Sequence, residues 1–142
     1  MDLRDAPMTR SNLICLAVGT LMVVSASAFA QDASRLAAGE AAWDKGGCPQ
    51  CHGASGEGGS GGESVAGPSL QATRLGKELL IDTISCGRPG TQMPSWLAGA
   101  YTDIPCYGVK GPPPAGLDRV PVLNVEEVAA LVDFLLAKVV RK

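Results

Sequence analysis

Cys48-Pro49-Gln50-Cys51-His52 is the stretch on which the reading of this chain turns. It sets two thiols three positions apart and puts an imidazole directly after the second. Upstream, Leu36, Gly39, Ala42 and Trp43 fall on one side at helical spacing, and Gly46-Gly47 is a stop signal. The pattern predicts a helix over Ser34–Lys45, capped by Ser34, that runs straight into the pentapeptide. Thiols so spaced can each add to a vinyl group on one edge of a haem, and the next imidazole then reaches the iron from the same side. C-x-x-C-H is the attachment motif of c-type haem, and histidine is a common axial ligand of haem iron.

Two other chemistries use such thiols. A thioredoxin-like dithiol needs a βαβ setting, and none is visible around the motif. A zinc site would need a fourth ligand beside Cys48, Cys51 and His52, with Cys86 as the candidate. Adjacent Cys51 and His52 would be awkward partners in a tetrahedral site.

The start of the chain has the form of a secretory signal. Arg4 and Arg10 lie in a polar opening, an apolar run spans Leu13–Val24, and Ala28-Phe29-Ala30 is an A-x-A cleavage pattern. Residues 1–30 are therefore expected to be removed after Ala30, leaving residues 31–142 as one domain in the periplasm. Asp2 and Asp5 are unusual in such an opening. Initiation at Met8 would leave Arg10 alone there, so the start is either Met1 or Met8. The alternative is an uncleaved anchor, but a spanning helix needs about 20 apolar residues and this run is shorter. Cys15 follows Ile14, not a small residue, which argues against a lipoprotein anchor. No other stretch can span a bilayer.

Cleavage removes Arg4 and Arg10 together with Asp2 and Asp5, so the formal net charge of −2 is unchanged. That argues against a nucleic-acid binder, which needs a basic surface for phosphates. Gly53–Gly67 is a glycine-rich loop without G-K-[ST], so it is not a phosphate-binding P-loop. The mature chain is small and poor in aromatics, and a large apolar cofactor at its centre would make up the deficit in buried surface.

Leu75–Ser85 reads as a second helix, with Leu75, Leu79, Leu80 and Ile84 apolar. Gly87–Leu123 reads as irregular, because seven prolines from Pro89 to Pro121 break helices and central strands. The last helix has the clearest signature. Asn124 is a good cap with Glu127 three residues on, and Val125, Val128, Val132, Leu135 and Val139 repeat at helical spacing. No strand is convincing, so the expected fold class is all-α with long loops.

His52 is the one histidine of the chain, and Met93 is the one methionine beyond the signal. Met93-Pro94 follows the glycine-bearing loop Gly87-Arg88-Pro89-Gly90. The mature chain thus offers the one histidine and one methionine of a His/Met haem. The alternative role for Met93 is a core gap-filler.

With these residues in place, the chain resembles the class I, monohaem c-type cytochromes over about residues 35 to 140. Gly39-x-x-x-Trp43 resembles the family's first-helix pattern, and Leu131-x-x-Phe134 the last-helix positions that cross it. Gly67-Pro68-Ser69-Leu70 resembles the G-P-x-L segment, and Met93-Pro94 the M-P ligand loop. The resemblance implies a small cytochrome c fold, three or more helices around one covalent haem c. It implies that Cys48 and Cys51 carry the thioethers, that His52 and Met93 are the axial ligands, and that the Pro68 carbonyl orients His52. It also implies an electron-transfer protein, not an enzyme, with Pro49-Gln50 and the glycine-rich loop as candidate docking surfaces. The expected partners are redox proteins met transiently, for instance a periplasmic dehydrogenase on the way to a terminal oxidase. The chain is expected to act as a monomer or as a subunit of an oxidoreductase. Two alternatives stay open: a dedicated haem subunit of a larger periplasmic oxidoreductase, and a haem-based ligand sensor.

The segment between Met93 and the last helix is longer than in the simplest relatives. Cys86 and Cys106 flank Met93, and in an oxidising compartment they are expected to pair. A bridge closing a loop of about 20 residues adds on the order of 3 kcal/mol and would hold the Met93 loop over the haem. The alternative is two unpaired buried thiols.

Overall fold

A computed structural model of the chain describes residues 29–59 and 66–141. The expected signal over residues 1–30 lies almost wholly outside the described residues. The chain divides into two units, Met1–Ser34 and Arg35–Lys142, and the core belongs to the second.

Residues 29–45 are helical (α1), so Ser34 lies inside the helix and does not cap it. Nothing in Phe29–Ala33 is glycine or proline, so no residue there stops the helix. Gly46-Gly47 does stop it, with Gly47 at φ +65°. One further turn, α2 (Pro49–His52), follows, with proline in its first turn, where a missing N–H costs nothing. Helix α3 (Lys77–Cys86) begins two residues later than the apolar pattern suggests, after extended Gly76. Of its apolar stripe, Leu80 and Ile84 enter the core, whereas Leu79 is 45% exposed.

Helix α4 (Val125–Phe134) starts on a complete capping box. The Glu127 N–H donates to Asn124 Oδ1 at 2.8 Å, and the Asn124 N–H donates to Glu127 Oε2 at 2.9 Å. A π-helical turn, Leu135–Val139, extends it. Val128, Leu131, Val132, Leu135 and Val139 are buried, while Val125, the first of the expected stripe, is exposed.

The expected all-α class is corrected by a parallel pair of strands, β1 (Ser95–Leu97) and β2 (Arg119–Leu123). Ser95 aligns with Arg119 and Leu97 with Leu123, so β2 takes extra residues between the same two partners. Pro121 sits in that irregular stretch. A proline excludes a central strand but is tolerated on an edge, and β2 has one neighbour. Its first four residues are all exposed, so no apolar alternation marks it as a strand.

The crossing of α1 with α4 sets the frame. A Cβ built on Gly39 would overlap the Ala130 carbonyl and stand 2.6 Å from the Phe134 Cβ. Only glycine permits that approach. Asp133 then ties three helices together, accepting hydrogen bonds from Arg35 on α1 and from Lys77 Nζ at the start of α3 at 2.5 Å.

Burial would raise the Asp133 carboxyl, but the hydrogen bonds from Lys77 and Arg35, with their charges, outweigh it and hold it below its usual value. A depressed carboxylate stabilises the fold above its unfolded pKa of about 3.9, and the contribution fades as pH falls through the folded value.

Two outcomes follow for the loaded protein. Gly39→Val should cost about 1–3 kcal/mol in denaturant unfolding, whereas Glu40→Ala on the exposed face should stay within about 0.5 kcal/mol. Asp133→Asn should cost at most about 1 kcal/mol at pH 7, since its partners are half exposed. The gap to the native chain should close below about pH 4.

Candidate haem site

The pentapeptide is held at the end of α1 by backbone bonds. The Gly46 N–H donates to the Ala42 carbonyl at 2.9 Å and the Cys48 N–H to the Trp43 carbonyl at 3.2 Å. The His52 N–H donates to the Cys48 carbonyl at 3.0 Å, closing the turn that puts Cys48, Cys51 and His52 together. Both cysteines are free and half-buried. The Trp43 and His52 rings lie 6.4 Å apart, tilted by 39°.

His52 is buried, and its Nδ1 lies 2.9 Å from the Pro68 carbonyl oxygen. A carbonyl only accepts, so Nδ1 is the donor of this bond and Nε2 is not engaged by it. Gly67 makes this approach possible. Its N–H donates to the Cys51 carbonyl at 2.7 Å, and a Cβ there would stand 2.9 Å from His52 Nδ1 and Cε1. The Gly58 N–H donates to the His52 carbonyl at 2.7 Å, and the Gly59 N–H to the Gly67 carbonyl at 3.1 Å. The described ends of the glycine-rich loop are thereby closed against the histidine.

Burial pushes the Cys48 thiol up to about 12, and the nearby Cys51 and Asp44 add to the rise. A redox-active C-x-x-C needs the opposite shift. The two strands are joined by irregular chain, not by a helix, so the βαβ setting is absent among the described residues. The zinc alternative fails on placement. Cys86 lies against Cys106, with Cα atoms 5.6 Å apart. Among the described residues no three of His, Cys, Asp and Glu gather in a metal-binding group.

Met93 is half-buried and packs against the core. Its loop turns at Pro89 and Gly90 (φ +78°), closed by the Thr91 N–H to the Arg88 carbonyl at 3.0 Å. The Arg88 N–H donates to the Met93 carbonyl at 3.0 Å. Buried Ser95 Oγ donates to the Ser85 carbonyl at 2.9 Å, fixing the chain beyond Met93 to the end of α3. Tyr107 Oη donates to the Gly87 carbonyl at 2.6 Å. Sequence reasoning missed Ser95 and Tyr107. The only trace of Tyr107 was its place before Gly108, a weak two-residue turn signal.

The donor set fits a c-type haem: two free thiols on one turn, a histidine with Nδ1 pinned and Nε2 available, and one methionine on a turned loop. A family model described as cytochrome C oxidase, cbb3-type, subunit III matches residues 34–105, half of the chain. The chain belongs to this family. It is a c-type cytochrome, and its family role is haem-based electron transfer. Neither the curated proteins nor the solved structures gave a match. The cytochrome's second strand and last helix lie beyond the matched stretch, as do Cys106 and Tyr107. No helix among the described residues is long and apolar enough to cross a membrane.

Proposed function

We propose that this cytochrome is an exported, periplasmic electron carrier with a single covalent haem. Cys48 and Cys51 would hold it through thioethers, and His52 Nε2 and Met93 Sδ would be its iron ligands. Bound there, the haem supplies one reversible electron between ferrous and ferric iron. The observation that carries this reading is the 2.9 Å contact between His52 Nδ1 and the Pro68 carbonyl. It supports Nδ1 as the donor to that carbonyl, which leaves Nε2 for the iron on the same turn as the two thiols. His52 and Trp43 are buried, and a water-poor surrounding of this kind would disfavour the extra positive charge of ferric iron and raise the potential. With His52 and Met93 both on the iron, no position would be left for a substrate, so the protein would relay electrons and its partners would be redox proteins.

A second reading has one observation in its favour, the description of the matched family. By it, the haem works as a dedicated subunit of an oxidase, and co-purification of the chain with other subunits separates the two.

Cys86 and Cys106 form a disulfide in this proposal. Its support is their separation of 5.6 Å between Cα atoms and their burial, each 1% exposed. Burial shields the bridge from solvent thiols, so it acts as a permanent strap.

Visible spectra of the mature protein, from a host able to attach haem, test the axial set. The expected result is a c-type reduced spectrum, a far-red ferric band of methionine–iron ligation and no carbon monoxide binding. Carbon monoxide binding without that band would remove Met93 from the iron, and a chain that never acquires haem would overturn the whole proposal. Thiol counting on the unfolded, unreduced holoprotein should find none free; two would sink the strap.

A further inference from the structure

The Gly87–Arg88 peptide unit is engaged on both sides. Its carbonyl accepts from Tyr107 Oη at 2.6 Å, and its N–H, that of Arg88, donates to the Met93 carbonyl at 3.0 Å. A hydroxyl, a peptide plane and the carbonyl of Met93 thus form one hydrogen-bonded chain, in which each bond polarises the next. The peptide is planar and rigid, so turning it to break one bond breaks the other. Gly87 itself is tight against the ligand loop. It has φ +68°, and a Cβ there would stand 2.6 Å from the Pro94 carbonyl carbon and 2.8 Å from the Met93 oxygen.

Tyr107 holds a position that its side chain disfavours. The Cys106 N–H donates to the Val109 carbonyl at 2.8 Å, and the Val109 N–H to the Cys106 carbonyl at 2.9 Å. Tyr107 and Gly108 are the two residues between, at φ +51° and +78°. A two-residue turn with both φ positive is the type I′ arrangement, suited to Asn-Gly or Gly-Gly. A tyrosine at its first position is strained, and such strain persists where the surroundings over-determine it. Here Cys106, beside Cys86, anchors the turn on one side, and the hydroxyl bond to Gly87 anchors it on the other.

We infer that Tyr107 is a positioning residue for the Met93 ligand: its hydroxyl, through the Gly87–Arg88 peptide, holds the Met93 loop in its iron-binding conformation. This rests on the proposal that Met93 is axial.

The test compares native, Tyr107→Phe and Tyr107→Asn holoproteins. Phe removes only the hydroxyl; Asn suits the turn better but cannot reach Gly87. Added imidazole competes with Met93 for ferric iron, and loss of the far-red band reads the exchange. Both variants should exchange about fivefold faster than the native protein, the factor that one ordinary hydrogen bond represents. Tyr107→Asn should unfold no more easily than the native chain, so a general loss of fold would not explain its faster exchange. Native-like exchange in both variants would overturn the inference. A native protein with no far-red band would instead overturn axial Met93, and this inference with it.

Discussion

The close passage of α1 over α4 at Gly39 governs what the rest of the chain can do. With no side chain at Gly39, α1 settles onto the Ala130 carbonyl and the Phe134 Cβ. That fixes where α1 ends, because Gly46-Gly47 follows seven residues later and hands the chain directly to Cys48. Trp43, one turn before the stop, is buried beside the His52 ring. The thiols of Cys48 and Cys51 are thus placed by a helix crossing, not by a free loop. The Asp133 ion pairs bring α3 into the same frame, although their exposure limits them to a small energetic share.

The histidine side of the site is built from nearby sequence. Cys48, Cys51, His52, Gly67 and Pro68 span about 20 residues, and every bond that aims the imidazole lies within them. The Met93 loop draws on distant chain. Ser85 and Gly87 come from the end of α3, Ser95 from β1, and Cys106 and Tyr107 from the turn beyond it. Parallel pairing of β1 with β2 then returns the chain to α4.

This division explains what could be read in the sequence. Motifs whose residues are neighbours were legible: C-x-x-C-H, the G-P-x-L segment, and the Asn124–Glu127 cap, which is present in full. The burial of the α4 stripe followed from its period, apart from exposed Val125. The strand pair was not legible, because Pro121 and four exposed residues hide β2 from any period-2 test. Leu79 misled for a related reason: periodicity marks a face as apolar but does not say what covers it. Ser34 as a cap assumed that α1 begins where its apolar stripe begins, and the helix continues further upstream. Tyr107 was hidden because its partner is a backbone carbonyl 20 residues away, and backbone acceptors leave no mark in a sequence.

The same division bears on how the proposed His/Met site would hold its weaker ligand. A thioether sulfur carries no charge and binds iron more weakly than an imidazole. Its effective affinity is its intrinsic affinity multiplied by the fraction of time the loop spends in the binding conformation. Between Gly87 and Pro94 the chain contains Gly90 and no regular structure, so left alone it would sample many conformations, each ordered residue costing about 1–2 kcal/mol. A buried contact at Cys86–Cys106, the Ser95–Ser85 bond and the doubly engaged Gly87–Arg88 peptide all restrict that sampling at the loop's two ends. The long proline-rich segment after Met93 is therefore better understood as scaffolding for the proposed ligand loop than as an appendage. It supplies Cys106 and Tyr107, and it lies largely beyond the stretch shared with the matched family.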